Sequence, residues 1–155
     1  THCISSAASD VYKRQLAKKL TEGKTELEAV QAVYEYVVKN IVYDEEKAET
    51  VKSGYLPNVD ETLKTKKGIC FDYAALMTAM LRSSGIPTRL DIGYATNIYH
   101  AWISTYLEER GWVDNVIQFD GKSWTMMDPT FAADGGDGIK DFITDSSNYN
   151  VQYIH

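Results

Sequence analysis

The stretch FDYAALMTAMLRSS, between Gly68 and Gly85, constrains the fold more than any other part of the 155-residue chain. Its apolar residues recur at helical spacing, and Gly85 followed by Pro87 is typical of the end of a helix. We therefore predict a helix of about four turns. This helix begins at or next to Cys70, so a thiol lies where a helix has unpaired N–H groups.

The pattern changes after this helix from helical to strand-like spacing. TRLDIGYA, HAWISTYL, NVIQF, SWTMMD and YNVQYI are rich in β-branched and aromatic residues, and Asp120-Gly121 is typical of a tight hairpin turn. Earlier, TELEAVQAVYEYVVKN starts with a capping box of Thr25 and Glu28, which predicts an amphipathic helix to about Asn40. Helices followed by antiparallel strands indicate an α+β fold.

Two segments have the composition of loops. Residues 42–67 contain Gly54, Pro57, Asn58 and Asp60 and are predicted to form an ordered loop. FAADGGDGIKD is predicted to be a glycine-rich loop. It lacks the ligand spacing and terminal glutamate of a calcium loop, so we expect no metal there.

Composition excludes several classes of protein. The chain carries a net charge of −6 and shows no basic patch, so we expect no nucleic-acid partner. No apolar run approaches the roughly 18 residues of a membrane span. Hydrophobic residues make up 44% of the chain, enough for a sizeable core. Without repeats or a long linker, we expect one domain, which we take to be a monomer.

The amino-terminal segment has an unusual sequence. SDVYKRQ resembles the translation of a transposase-derived sequencing adapter, so residues 1–15 are set aside as a non-native tail. Residues 16–155 are then the domain. Cys3 and His2 lie in the tail and are excluded as functional candidates.

Elimination leaves one pair for thiol chemistry. Outside the tail the chain has one cysteine, Cys70, and two histidines, His100 and the terminal His155. A helix start and a neighbouring imidazolium both lower the pKa of a thiol, and first-turn N–H groups can hold an oxyanion. If the chain is a thiol enzyme, His100 is the base, and Asp128 on a neighbouring strand is placed to orient it. Each residue also has an alternative without catalysis. Cys70 can be an inert buried residue, His100 can serve only in packing, and Asp128 with the following proline can open a turn.

The sequence motifs around these residues resemble those of a known family. KKGICFDYAALMTAMLRSSGIPTRLDIGY, YHAWISTY and WTMMDPTF are similar, in order and spacing, to the conserved blocks of the transglutaminase-like superfamily over residues 39–132. The resemblance implies a papain-like core, in which the cysteine-bearing helix packs on an antiparallel sheet. It also implies a catalytic triad of Cys70, His100 and Asp128, with no cofactor. The sequence looks closest to small bacterial members, which implies an extracellular or cell-surface protein whose signal peptide would precede the tail.

The resemblance implies further roles around the triad. Relatives use a side-chain oxyanion donor upstream of the cysteine, and Tyr43 is the best candidate here, unless it only caps the core. Trp102 projects to the same sheet face as His100 and, with Tyr99, is a candidate wall of a substrate groove; core packing is the alternative. Trp112 and Trp124 are assigned to packing.

One cysteine and one histidine cannot supply a zinc site without carboxylates.

Two functions follow as expectations. The first is cysteine-dependent hydrolysis or acyl transfer at amide bonds of a protein or peptide, through a thioester, with protease or amidase activity favoured over cross-linking. The second is a catalytically silent module that binds a protein or glycan partner.

Overall fold

A computed structural model describes the chain at residues 7–95, 98–119, 124–126 and 149–154. Its helices are α1 (Ala7–Thr21), α2 (Glu26–Asn40), α3 (Glu45–Thr50), α4 (Val59–Thr65) and α5 (Cys70–Ser83). Its strands are β1 (Val42–Tyr43), β2 (Lys67–Gly68), β3 (Thr88–Ala95), β4 (Ile98–Leu107), β5 (Gly111–Phe119), β6 (Trp124–Met126) and β7 (Tyr149–Ile154). The chain divides into a helical unit, Thr1–Pro87, and a sheet unit, Thr88–His155.

The helix α5 forms the centre of the helical unit and contacts α1, α2 and α4. It begins at Cys70 and ends before Gly85, as predicted, and Gly85 has a φ of +83° that suits glycine. Its largest fully buried side chains are Leu76, Met77, Met80 and Leu81. Full burial of each such side chain stabilises the fold by about 1.5–3 kcal/mol.

The helix α2 begins with the predicted capping box. The Thr25 hydroxyl accepts a hydrogen bond from the N–H of Glu28 at 3.3 Å, and the Glu28 carboxylate accepts from the N–H of Thr25 at 2.9 Å. Val30, Val33 and Val37 are fully buried on one face of the helix. The predicted amphipathic helix to Asn40 is therefore confirmed.

The prediction that residues 42–67 form a loop is wrong, because this segment contains α3 and α4 between two short strands. Polar residues that are typical of turns act here as helix caps. Asp44 accepts a hydrogen bond from the N–H of Lys47, and Asn58 accepts from the N–H groups of Asp60 and Glu61. The same residue types favour turns and helix starts, so composition alone does not separate the two.

The strands β1 and β2 form a parallel pair immediately before α5. Val42 lies opposite Lys67, and Tyr43 lies opposite Gly68. A Cβ atom on Gly68 would lie 2.6 Å from the Cβ of Asp72, which is closer than real Cβ atoms approach. Glycine at position 68 therefore permits the close approach of β2 to the first turn of α5.

The strands of the sheet unit are all antiparallel and follow the order β6-β5-β4-β3-β7. β3 and β7 have the predicted limits, whereas β4 starts at Ile98 and β5 starts at Gly111, two and four residues earlier than predicted. The β5–β6 hairpin is confirmed; its turn, with Asp120 and Gly121, lies outside the described residues. The glycine-rich segment FAADGGDGIKD also lies outside them.

The predicted fold class is confirmed, because helices precede an antiparallel sheet in an α+β arrangement. The packing of α5 against that sheet stays a prediction. Within the described ranges, no helix is both long and apolar enough to cross a membrane.

The tail that was set aside overlaps the first helix. α1 begins at Ala7, and Lys13 forms an ion pair with Asp60 at 2.8 Å. The two side chains are 17% and 23% exposed, so this ion pair is partly buried. The foreign origin of residues 1–15 stays a prediction.

We expect the substitution Gly68→Ala to lower the free energy of unfolding by about 1–3 kcal/mol, because the added Cβ overlaps the side-chain stem of Asp72. Neither atom is the end of a flexible side chain, so the contact can be relieved only by a shift of the backbone. Urea unfolding measures this change. The neighbouring Lys67→Ala, at an exposed position, serves as the control and should change stability by less than about 0.5 kcal/mol. Equal stability of the two variants would contradict the close approach.

Candidate active site

The thiol of Cys70 lies at the first residue of α5 and is 3% exposed. The preceding Ile69 has extended backbone, so the chain turns into the helix at the cysteine itself. The backbone N–H groups of Phe71 and Cys70 lie close enough to the sulfur to favour the thiolate. The first turn therefore directs its donors to the position where a nucleophile would react.

The pKa of Cys70 is raised from 9.0 to about 12. Burial is the largest cause, because it removes the thiolate from water, and the nearby charge of Asp72 acts in the same direction. The two backbone N–H groups lower the pKa but do not outweigh burial. The sequence predicted a lowered pKa, so the effect of burial was underestimated, and the thiol is neutral at physiological pH.

Tyr43 lies near enough to Cys70 for their charges to interact, and its role as an oxyanion donor stays a prediction. Its ring packs against Tyr73 at 6.5 Å, and its side chain is 39% exposed. Burial, followed by repulsion from Cys70 and from Glu45, raises the pKa of the Tyr43 phenol. The phenol thus keeps its proton and can donate a hydrogen bond near the sulfur.

A buried carboxylate holds the helix start in place. Asp72, the third residue of α5, is fully buried and accepts three hydrogen bonds. The donors are the N–H of Ile69 at 2.9 Å, the ammonium of Lys47 at 2.9 Å and the hydroxyl of Tyr55 at 2.6 Å. We refer to Lys47, Tyr55 and Asp72 as the Asp72 cluster.

The charges of the Asp72 cluster support one another. Burial alone would lower the pKa of the Lys47 ammonium, but hydrogen bonds to Tyr55 and Asp72 outweigh it and raise this pKa. Burial, and next the hydrogen bond to Asp72, raise the pKa of Tyr55 to about 12. Lys47 also lies over the Tyr55 ring, with its Nζ 4.6 Å from the centroid. At neutral pH Lys47 is therefore an ammonium and Tyr55 a neutral phenol.

Sequence reasoning missed the Asp72 cluster. One indication was present, because an acidic third residue commonly accepts from the backbone at a helix start. Ile69 has no side-chain acceptor, so only the reciprocal half of a capping box forms. Nothing in the sequence pairs Asp72 with Lys47 and Tyr55, which are 25 and 17 residues away.

The other predicted site residues belong to the sheet unit. His100 lies in β4 opposite Gly93, and Tyr99 lies opposite Tyr94; the placement of both side chains is outside the described part. Asp128 lies outside the described residues altogether. The assembly of the triad therefore stays a prediction.

Two tryptophans of the sheet unit differ in exposure. Trp102 is 1% exposed, which favours core packing over a groove wall in this state. Trp112, which was assigned to packing, is 51% exposed and packs edge-on against Tyr106, with Arg89 over its ring.

Among the residues whose placement is described, no group of three or more His, Cys, Asp or Glu side chains could hold a metal.

Comparison with known proteins supports the resemblance of the sequence blocks. The family model described as the transglutaminase-like superfamily matches residues 14–129. The uncharacterized protein YebA of Bacillus subtilis is 32% identical over 120 residues, which cover 64% of this chain and 16% of that protein. Kyphoscoliosis peptidase of Homo sapiens is 27% identical over an alignment of 158 positions, and the match covers 94% of this chain and 23% of that protein.

A solved structure of a TGase has a similar fold, with a TM-score of 0.54 and 20% sequence identity. The match covers 83% of this chain and 36% of that one. The chain spans less than a quarter of the length of the two curated relatives. At these levels the comparison with the solved structure establishes the fold alone.

We expect the raised pKa of Cys70 to appear as a loss of stability at alkaline pH. The folded-state pKa of about 12 exceeds the ordinary 9.0, so the unfolded chain ionises first as the pH rises. The contribution of the neutral thiol to the free energy of unfolding is complete below pH 9.0 and is lost between pH 9.0 and about 12. In Cys70→Ser this loss is absent, because a serine hydroxyl does not ionise there.

Urea unfolding of both proteins at neutral pH and within that window measures the effect. Tyr55 and Tyr73, whose pKa values are also raised to about 12, are present in both proteins and cancel in the difference. The stability of the wild type relative to Cys70→Ser should fall as the pH rises. A constant difference would indicate that the native thiol has an ordinary pKa.

Proposed function

The chain belongs to the transglutaminase-like superfamily, and on that premise we propose that Cys70 catalyses hydrolysis or acyl transfer at amide bonds of a protein or peptide. The observation that carries this proposal is the position of Cys70 at the first residue of α5, where the backbone N–H groups of the first turn favour the thiolate. A nucleophile at a helix start has oxyanion donors within reach.

The proposed reaction begins from a neutral thiol. As the sulfur attacks the amide carbonyl, His100 accepts the thiol proton, so a C–S bond forms while the S–H bond breaks. Asp128 orients His100 and stabilises the imidazolium. The first-turn N–H groups, with Tyr43 as a further donor, stabilise the oxyanion. The imidazolium then protonates the leaving amine or ammonia, and a thioester remains at Cys70.

Water resolves the thioester in the reaction we favour. Transfer to an amine needs a shaped acceptor channel that excludes water, and Tyr99 and Trp102 are the candidate walls of such a channel. Trp102 is 1% exposed, which favours core packing over such a wall. A relative named as a peptidase supports hydrolysis, whereas a fold neighbour named as a TGase keeps transfer as the competing outcome. We place this reaction outside the cell or at its surface.

The second candidate is a silent module that binds a protein or glycan. The raised pKa of Cys70 favours it, because an inert buried cysteine has this property as well. The two functions differ in whether the thiol reacts with a substrate.

One experiment separates these functions. A library of glutamine-containing peptides is incubated with the protein, with and without a primary amine in large excess, and products are identified by mass spectrometry. We expect cleavage or deamidation that persists with the amine and disappears in Cys70→Ala, which keeps a similar melting temperature. Predominant amine incorporation would make the activity a transfer. Equal product with Cys70→Ala would remove the thiol from the mechanism, and no product at all would favour the binding module.

We expect Asp128→Asn to keep the fold and to lower kcat by about 10²–10⁴-fold, since an amide does not stabilise imidazolium. Steady-state kinetics on the best peptide, together with a melting curve, test this role. Asp114→Asn, an exposed position in the sheet unit, is the matched control and should retain wild-type kcat. Full activity of Asp128→Asn would show that the residue only ends a strand.

A further inference from the structure

The buried carboxylate of Asp72 joins three separate segments of the chain to the start of α5. Lys47 comes from α3, Tyr55 from the segment between α3 and α4, and Ile69 from the residue between β2 and α5. A helix start requires only the last of these bonds. The two side-chain donors are additional, and both reach a carboxylate that has no contact with solvent.

We propose that Lys47 and Tyr55 are positioning residues, which act through Asp72 to fix the first turn of α5 and with it the sulfur of Cys70. The proposal deepens the function given above and rests on it only where turnover is measured. Neither residue is assigned contact with substrate.

The geometry restricts the carboxylate from several sides. β2 lies so close to the stem of Asp72 that glycine is required at position 68. Tyr55 also packs edge-on against Phe71, the residue after the cysteine, at 6.4 Å. Any rotation of the first turn must therefore break a charged hydrogen bond, disturb the ring contact or push against β2.

The charges of the Asp72 cluster indicate that it fixes the position of the first turn more than it stabilises the fold. A buried ion pair is often no more stabilising than apolar side chains of the same size, because both charges lose their hydration. Hydrogen bonds to an ionised group do, however, have defined length and direction. The bonds at 2.9 Å and 2.6 Å thus fix a position more than they add stability.

The position matters because Cys70 precedes Asp72 by two residues in the same turn. The backbone N–H of Phe71, between them, favours the thiolate of Cys70. A displacement of a reacting group by about 1 Å can lower a rate by about 10²-fold. Loosening of the first turn is therefore expected to lower kcat while the binding of peptide, measured by KM, is kept.

The test compares two weakened variants with two matched controls. Lys47→Met keeps the stem but loses the ammonium, and Tyr55→Phe keeps the ring but loses the hydroxyl. Lys47→Arg retains a charged donor, and Lys52→Met removes an exposed lysine from the same segment. Amide hydrogen exchange of residues 69–73 is measured by mass spectrometry, with α2 as the internal reference, well below the melting temperature.

We expect exchange at residues 69–73 to become about tenfold faster or more in Lys47→Met and Tyr55→Phe, because each loses a hydrogen bond to a charged group. Exchange in α2 should stay as in the wild type. kcat should fall at constant KM in these two variants and be retained in Lys47→Arg and Lys52→Met. Unchanged exchange at 69–73, an equal increase in α2, or faster exchange with unchanged kcat would each overturn the proposal.

A readout without substrate separates this proposal from the proposed function. In a Cys3→Ser background, where Cys70 is the single thiol, a small uncharged disulfide reagent should modify Cys70 faster in the weakened variants, because its sulfur is 3% exposed in the native state. If the wild type turns over no peptide, the proposed function fails. In that case, faster thiol modification and faster exchange at residues 69–73 in the weakened variants would still support the positioning role. Wild-type rates of both processes would overturn it.

Discussion

The Asp72 carboxylate is the interaction on which the described helical unit most depends. Its oxygens accept from Lys47, Tyr55 and Ile69, so one fully buried group connects α3, the segment after it and the start of α5. An unpaired buried carboxylate is costly, and these three partners offset that cost. β2 also lies so close to the side chain of Asp72 that only glycine fits at position 68.

The same compact helix start sets the chemistry of the thiol. First-turn N–H groups stabilise a thiolate, whereas burial and the charge of Asp72 destabilise it. Burial has the larger effect, so the resting group is a neutral thiol whose proton must leave during attack. A base is therefore a requirement of the proposed mechanism, and His100 is the one candidate that elimination along the sequence left in the interior of the chain.

Some parts of this structure could be predicted from sequence and others could not. α5, α2 and the longer strands β3, β4, β5 and β7 have enough residues for their periodicity to be detected, and Gly85 and Pro87 define the end of α5. α3 and α4 have six and seven residues, too few for a periodic pattern, and their caps resemble turn residues. Cys70 and Tyr43 could be proposed as site residues because the first is the one cysteine outside the tail and the second is a possible donor upstream of it. Lys47, Tyr55 and Asp72 were missed because only tertiary packing brings them together.

A neutral, buried thiol also bears on how such a site persists between reactions. Oxidation and unwanted alkylation proceed through the thiolate and require access to the sulfur. Both are limited at Cys70, because burial raises its pKa and leaves 3% of the residue exposed. The reactive state then forms only when a base and a substrate carbonyl are both present. The fixed first turn and the protected sulfur are thus two consequences of one packing arrangement, in which Asp72 supplies the position and burial supplies the protection.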